Sequence, residues 1–224
     1  MDSKSNYRPP TLTVDLVAFR IHDHRLEVLL LKRGHEPFKG EWALPGGYNS
    51  AGETTVEALA RIVETKIGFD ISEKLGYFEQ LYTVDTVARD PRGHAVSVVY
   101  MGCGHDFDID GGIEQHRFWP VDDLPDIAFD HKEIIVNARE RLASKLSYSN
   151  AVMGLLAEKF TLTHVQVAYE AVLNRQVDKR NFRKKFLSLG LIEETDELWT
   201  EGAHRPARLY RFSSRNYEIL PSQF

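Results

Sequence analysis

Two groups of residues in this sequence have types and spacings suited to chemistry. The first centres on Gly46 and Gly47, followed by a stretch in which Glu53, Glu57, Arg61 and Glu64 recur. A glycine-rich loop leading into a helix offers backbone N–H groups to phosphate oxygens. Arginine grips a diphosphate through paired N–H bonds, and an aromatic ring stacks on a base. Arg33, Trp42, Gly46, Gly47, Arg61 and Tyr100 are therefore the candidate ligand contacts. Some have structural rivals: Trp42 suits core or loop packing as well as stacking, and Arg33 suits a carboxylate partner. Glu57 and Glu64 flank Arg61 at helical spacing, which reads as a solvated ion-pair cluster.

The second group is residues 175–185, RQVDKRNFRKK, where six basic residues surround one acid, Asp178. Phe182, Phe186 and Leu189 follow i, i+4, i+7 and form an apolar stripe. Arg180 and Lys184 then lie opposite, with Asn181 and Arg183 beside them, while Lys179 and Lys185 flank the stripe. An apolar face that docks on a small module and a basic face turned outward describe a recognition helix for the major groove of double-stranded DNA. The segment Gly202-Ala203-His204-Arg205-Pro206, with Arg208 and Arg211 after it, resembles the wing of a winged helix-turn-helix. The candidate DNA contacts are Thr163, Lys179, Arg180, Asn181, Arg183, Lys184, His204 and Arg205. The competing reading of this region is a solvated basic helix on a protein-docking module.

The elements that must position these residues follow from periodicity. Residues 11–33 read as two strands joined by the turn-like HDHR, and residues 38–49 (FKGEWALPGGYN) as a Gly/Pro-rich loop. Residues 54–67 carry helical spacing of Val56, Leu59, Ala60, Val63 and Ile67, stopped by Gly68. Strands are expected over 75–87, 94–103 and 115–120, with RDPRG turning the first into the second, and an amphipathic helix over 130–146. Strands, a helix, strands and a helix point to a mixed sheet with helices on its faces. SKLSYSN, residues 144–150, reads as a linker, so the expected domains are 1–148 and 149–224. In the second, helices are expected over 150–160, 164–173 and 178–189, then strands over 191–200 and 208–213. Thr163 with Gln166 forms a capping box for the middle helix, and Asp178 caps the last.

Composition narrows the function classes. The 224 residues carry a formal net charge of -5, but it is unevenly spread: residues 1–148 hold 17 Lys/Arg and 24 Asp/Glu, and residues 149–224 hold 11 and 9. The smaller half is the one suited to a polyanion. No apolar run approaches the roughly 20 residues of a membrane span, and the polar start MDSKSNYRPP reads as a disordered lead-in with no signal peptide, so a cytoplasmic protein with no membrane partner is expected. Cys103 is the only cysteine, which excludes an internal disulfide and any multi-cysteine zinc site.

The run Gly47, five residues, Glu53, seven residues, Arg61 and a closing Gly68-Phe69, preceded by WALPGG, resembles the Nudix box of hydrolases acting on nucleoside diphosphate derivatives. The resemblance implies three glutamates after the arginine, at i, i+3 and i+4, whose carboxylates hold divalent cations. Ile62, Thr65 and Lys66 stand at those three positions. The resemblance therefore implies no catalytic residue, no metal ligand and no cofactor, and a cleft that binds without cleaving. A displaced metal site built from Glu53, Glu57 and Glu64 is the alternative. With RDPRGHAVSVVY, FWPVDDLPDIAFDHKEII and DKRNFRKKFLSLGLIEE, nearly the whole chain resembles the NrtR family of Nudix-related transcriptional regulators of NAD metabolism. That resemblance implies an α/β fold, a Nudix-type α/β/α sandwich with a mixed sheet followed by a C-terminal winged helix-turn-helix. It implies a homodimeric repressor on a palindromic operator, with ADP-ribose or a related NAD-derived nucleotide as small-molecule effector. An active Nudix hydrolase and a sugar-responsive regulator of the same architecture are the rival readings.

Overall fold

The computed structural model describes residues 8–105, 107, 109, 112–200 and 206–220. Strand β1 (Thr11–His22) and strand β2 (Arg25–Lys32) pair antiparallel, with His22 opposite Arg25 across a two-residue turn. Both turn residues, Asp23 and His24, have positive φ, the conformation whose twist matches the flanking strands. β3 (Trp42–Ala43) pairs with β2, and β4 (Gly46–Tyr48) with β1. Helix α1 (Thr55–Ile67) follows, then the single turn α2 (Ile71–Lys74), β5 (Tyr77–Val84), β6 (Ala95–Cys103) and β7 (His116–Pro120). The sheet has the order β3-β2-β1-β6-β5, with β7 also paired to β2. It is mixed, because β1 and β6 run parallel while the other pairs are antiparallel.

β1 is buried on both faces, so it reads as a near-continuous apolar run. Val14, Leu16 and Ala18 face a core built with Ala58, Leu59, Ile62, Val63 and Ile67 of α1. Val17 and Phe19 face the other core, where helix α3 (His131–Tyr148) contributes Ile134, Ile135, Ala138, Leu142 and Leu146. Each Val, Leu, Ile or Phe among them contributes about 1.5–3 kcal/mol when fully buried. The result is the expected α/β/α sandwich. α1 starts at Thr54, whose hydroxyl accepts from Glu57 N while the Glu57 carboxylate accepts from Thr54 N at 2.7 Å. It ends at Gly68, left-handed at φ 93.

The expected linker is structured. α3 continues through Tyr148, Ser149 caps it, and Asn150 is buried and holds the C-terminal segment through Glu218 N and the Asn216 carbonyl. Polar SKLSYSN lacks an apolar stripe of its own, yet Leu146 packs inward while Ser149 takes the cap. The helix expected over 150–160 is instead a short 3-10 turn, Ala151–Leu155, wholly buried against the sheet. An added Cβ at Gly154 would lie 2.6 Å from the Tyr77 Cβ and 3.1 Å from the Cys103 Cβ, so this turn touches β5 and β6 backbone to backbone.

Helices α4 (Leu162–Leu173) and α5 (Lys179–Ser188) and the hairpin β8 (Ile192–Trp199) and β9 (Ala207–Phe212) complete a winged helix module. Its core is continuous with that under α3: Phe160, Val165, Tyr169, Phe182, Phe186 and Phe212 join the same apolar cluster as Val17 and Met101. Among the described residues no helix is long and apolar enough to cross a membrane. The polar lead-in before residue 8 and the wing-tip residues His204 and Arg205 lie outside the described residues.

Candidate functional site

A cavity of about 440 Å³ opens where β1, β4 and α1 meet the loops before β6 and α3. It falls in the size range of small-molecule sites. Arg33, Gly46, Gly47 and Arg61 line it, together with Arg89, Arg92, Lys66, Asp15, Asp90, Glu114, Tyr48, Phe129 and His131. Five fixed cations and three carboxylates line it, and Glu53 and Asp130 just outside the lining pair with Arg61 and Arg89.

The arginines are held by distinct partners. Arg33 donates to the Pro37 carbonyl at 2.7 Å and lies over the Phe129 ring at 4.8 Å. Burial, with Arg92 nearby, pulls its pKa down, which makes a counter-anion favourable. Arg89 is nearly buried and donates twice to Asp130, at 2.8 and 2.7 Å. Burial works against its charge, but Asp130 and Asp15 outweigh it and raise its pKa. Arg92 clamps Asp90 and donates to the Tyr48 hydroxyl at 2.9 Å. Arg61 pairs with Glu53 at 2.9 and 2.6 Å, not with Glu57 or Glu64, and holds that carboxylate down at about 2. At the floor, buried His131 accepts from Leu44 N at its Nδ1, 2.9 Å, and burial lowers its pKa. Phe129, just before the N-cap of α3, holds a left-handed backbone at φ 58, a strained geometry for a bulky residue.

Two expected contacts are not in this cavity. Trp42 turns into the core under α3 and packs edge-on to Trp119, with centroids 5.4 Å apart. Tyr100 is buried beneath α1, stacked on Phe78, with its hydroxyl 2.6 Å from Thr55 Oγ1. Both lie on strands, where alternation sends every second residue away from the cavity, and a two-residue strand such as β3 hides its phase in the sequence. The aromatic rings that do line the cavity are Tyr48 and Phe129. Nor does the glycine pair lead straight into the helix: Gly46 and Gly47 belong to β4, a turn intervenes, and the first donors of α1 are taken by its own Thr54–Glu57 cap. Arg89, Arg92 and Tyr48 carried no motif, and only the RDPRG turn signal placed two of them near each other.

The residues present do not fit the divalent cation that the Nudix fold implies. Ile62 is buried with a purely apolar side chain, Thr65 is exposed, and Lys66 puts an ammonium in place of the third acid. Glu57 is engaged in the helix cap and Glu53 with Arg61, so the displaced set Glu53, Glu57 and Glu64 does not converge. Among the described residues no group of three His, Cys, Asp or Glu is placed to hold a metal ion.

The second region is the outer face of α5. Asp178 caps the helix by accepting from Asn181 N at 2.8 Å. Phe182 and Phe186 pack on Tyr169 of α4, which leaves Lys179, Arg180, Asn181 and Lys184 exposed. Arg183 is half-buried and donates to Thr163 Oγ1 at 2.8 Å, tying α5 to the start of α4. Thr163 is therefore not the cap of α4. Thr161 is, with His164 as its reciprocal partner, because the helix begins two residues earlier than its apolar periodicity suggests. In the hairpin Arg208 pairs with Glu194 and Arg211 with Glu193, so the acids of β8 offset the basic wing.

The NUDIX domain family matches residues 9–138, and the NrtR DNA-binding winged helix domain family matches residues 152–212. The chain is 33% identical to the ADPR responsive transcriptional repressor NtrR of Acinetobacter baylyi, over 96% of this chain and 87% of that protein. This chain belongs to the NrtR family. Its fold as a whole is similar to the crystal structure of Shewanella oneidensis NrtR complexed with a 27mer DNA, with a TM-score of 0.80 and 32% identity over 95% of this chain and 99% of that one. The NUDIX domain of the same Shewanella protein, crystallised with ADP ribose, matches at 36% identity with a TM-score of 0.55, over 63% of this chain and 94% of that one. A Nudix domain thus precedes a winged helix within one chain.

Proposed function

We propose that this NrtR-family chain is an ADP-ribose-responsive transcriptional repressor of NAD-metabolism genes, whose Nudix domain binds its nucleotide without cleaving it. The observation that carries the reading is the pairing, in one chain, of an arginine-lined cavity lacking convergent carboxylates with a capped helix that exposes Lys179, Arg180, Asn181 and Lys184. Arg33, Gly46, Gly47 and Arg61 are the ligand contacts foreseen from sequence, with Tyr48 or Phe129 as the ring that takes the base. Thr163 and Arg183 act together, one positioning the other at the helix pair, while Lys179 and Lys184 suit phosphate and Arg180 and Asn181 suit base edges. Two copies on a palindromic operator double the phosphate contacts, which makes physical sense of a module with so small a net charge. ADP-ribose and DNA then lower each other's affinity by a common factor, on the order of 1–3 kcal/mol.

The test is fluorescence anisotropy of a palindromic operator candidate from an NAD-biosynthesis promoter, with and without ADP-ribose, with the same sample assayed for AMP. Salt-dependent binding that intact ADP-ribose releases is the expected outcome. Absence of DNA binding, with AMP accumulating in magnesium, would mean that the chain is a hydrolase.

A further inference from the structure

Lys66 stands where the family's hydrolases carry an acid, and its surroundings show what the replacement does. It projects from the last turn of α1 into the cavity, where its ammonium donates to the Gly46 carbonyl at 3.0 Å and lies 3.3 Å from Glu114 Oε1. Glu114 is largely buried, and its other oxygen, Oε2, has no hydrogen-bond partner among the described residues. Lys66 is thus the group that compensates a desolvated carboxylate, a role that a bound cation commonly fills. An ammonium has three donors, of which one makes a hydrogen bond to Gly46 and a second faces Glu114 in an ion pair. Among the described residues nothing takes the third, and the side chain remains partly open to the cavity.

We infer that Lys66 is a built-in monovalent cation of this pocket, bridging the Gly46 carbonyl and Glu114 and giving its remaining donor to a diphosphate oxygen, so that ligand binding is independent of divalent metal. The inference rests on the reading of the cavity as a diphosphate site. Its physical content is an exchange: a fixed ammonium is tethered and needs no recruitment from solution, but it carries half the charge of magnesium and cannot polarise a bridging oxygen by coordination. The neighbouring Arg33, whose hydrogen bonds go to backbone carbonyls, adds to the positive field, while Arg61 and Arg92 are each held by a carboxylate. Ile62 completes the change, because its buried side chain fills space beside Gly47, with Cδ1 3.1 Å from where a Cβ would be. The site has gained both an ammonium and an apolar plug where an ion and its water would need room.

The test is calorimetric titration of the full-length chain with ADP-ribose and, separately, with inorganic pyrophosphate, each in EDTA and in magnesium. Wild type is expected to bind with dissociation constants that agree within twofold between the two buffers. Lys66→Met is expected to weaken binding at least tenfold, and Lys66→Arg to restore most of it, while thermal melting of each variant reports whether it is folded. Lys66→Glu is expected to bind only when magnesium is present, or not at all. Pyrophosphate binding in EDTA that depends on Lys66, with no ADP-ribose binding, would uphold the inference and remove the nucleotide reading. A tenfold gain of wild-type affinity on adding magnesium, unchanged affinity in folded Lys66→Met, or failure of both probes to bind in EDTA would overturn it.

Discussion

His131 shows how one side chain can tie the ligand cavity to the start of a helix. Its Nδ1 must lack a proton to accept from Leu44 N, and its Nε2 lies 3.8 Å from Asp15 Oδ1, which in turn accepts from Ser97 at 2.5 Å through its other oxygen. Burial holds His131 neutral by lowering its pKa, although Asp15 and Asp130 oppose that shift. The unfolded chain gains a proton at this residue as the pH falls through about 6.5, whereas the folded chain resists it. Stability therefore declines on the acid side, by at most about 1.4 kcal/mol for each pH unit between the unfolded and folded values. Urea denaturation at pH 5.5 and 7.5 should show this loss in wild type and a smaller one in His131→Asn, whose Oδ1 can still accept from Leu44. Equal pH dependence in the two would remove His131 from the argument.

Among the elements, α5 was the most legible in the sequence, because its capping Asp178 and the Phe182 and Phe186 stripe fix both its start and its inward face. Arg180→Ala and Lys184→Ala should accordingly weaken operator binding with the fold intact. Loss of a phosphate contact at Lys184 should also lower the slope of log affinity against log salt by about 1. Anisotropy titrations from 50 to 200 mM salt measure both effects, and normal binding by both variants would take the DNA contacts off this face. α1 was legible too, through its Nudix-like spacing and Gly68. The cavity was not, since Arg89, Arg92 and Phe129 arrive from loops, and Tyr48 from the end of β4, whose meeting depends on the parallel pairing of β1 with β6 across more than eighty residues. Local patterns record local geometry. Such a crossover leaves no trace in the spacing of Trp42 or Tyr100, and both turn away from the cavity.

At the scale of the whole molecule, sensor and DNA-binding module share one apolar core. Arg139 of α3 donates to the Ala171 and Val172 carbonyls at the end of α4, at 3.2 and 3.1 Å, and pairs with Asp122 on the sheet side. The helix that begins at the cavity floor is therefore bonded, two turns later, to the helix pair that carries α5. A chain built this way should melt in a single calorimetric transition. Gly154→Ala, which forces a methyl against Tyr77 and Cys103, should lower stability by about 1–3 kcal/mol and broaden or split that transition. Two resolved transitions in wild type would contradict the shared core. The buried passage from Tyr148 to Ala151 also bears on how such a protein can be altered or can diverge. It offers no spacer that could absorb an insertion, so the module cannot be grafted onto a different receptor by cutting at the boundary that the composition suggests. A workable chimaera would have to inherit α3 and the sheet face beneath it, and a lineage changing its signal would do so by recolouring the cavity wall while leaving that seam alone.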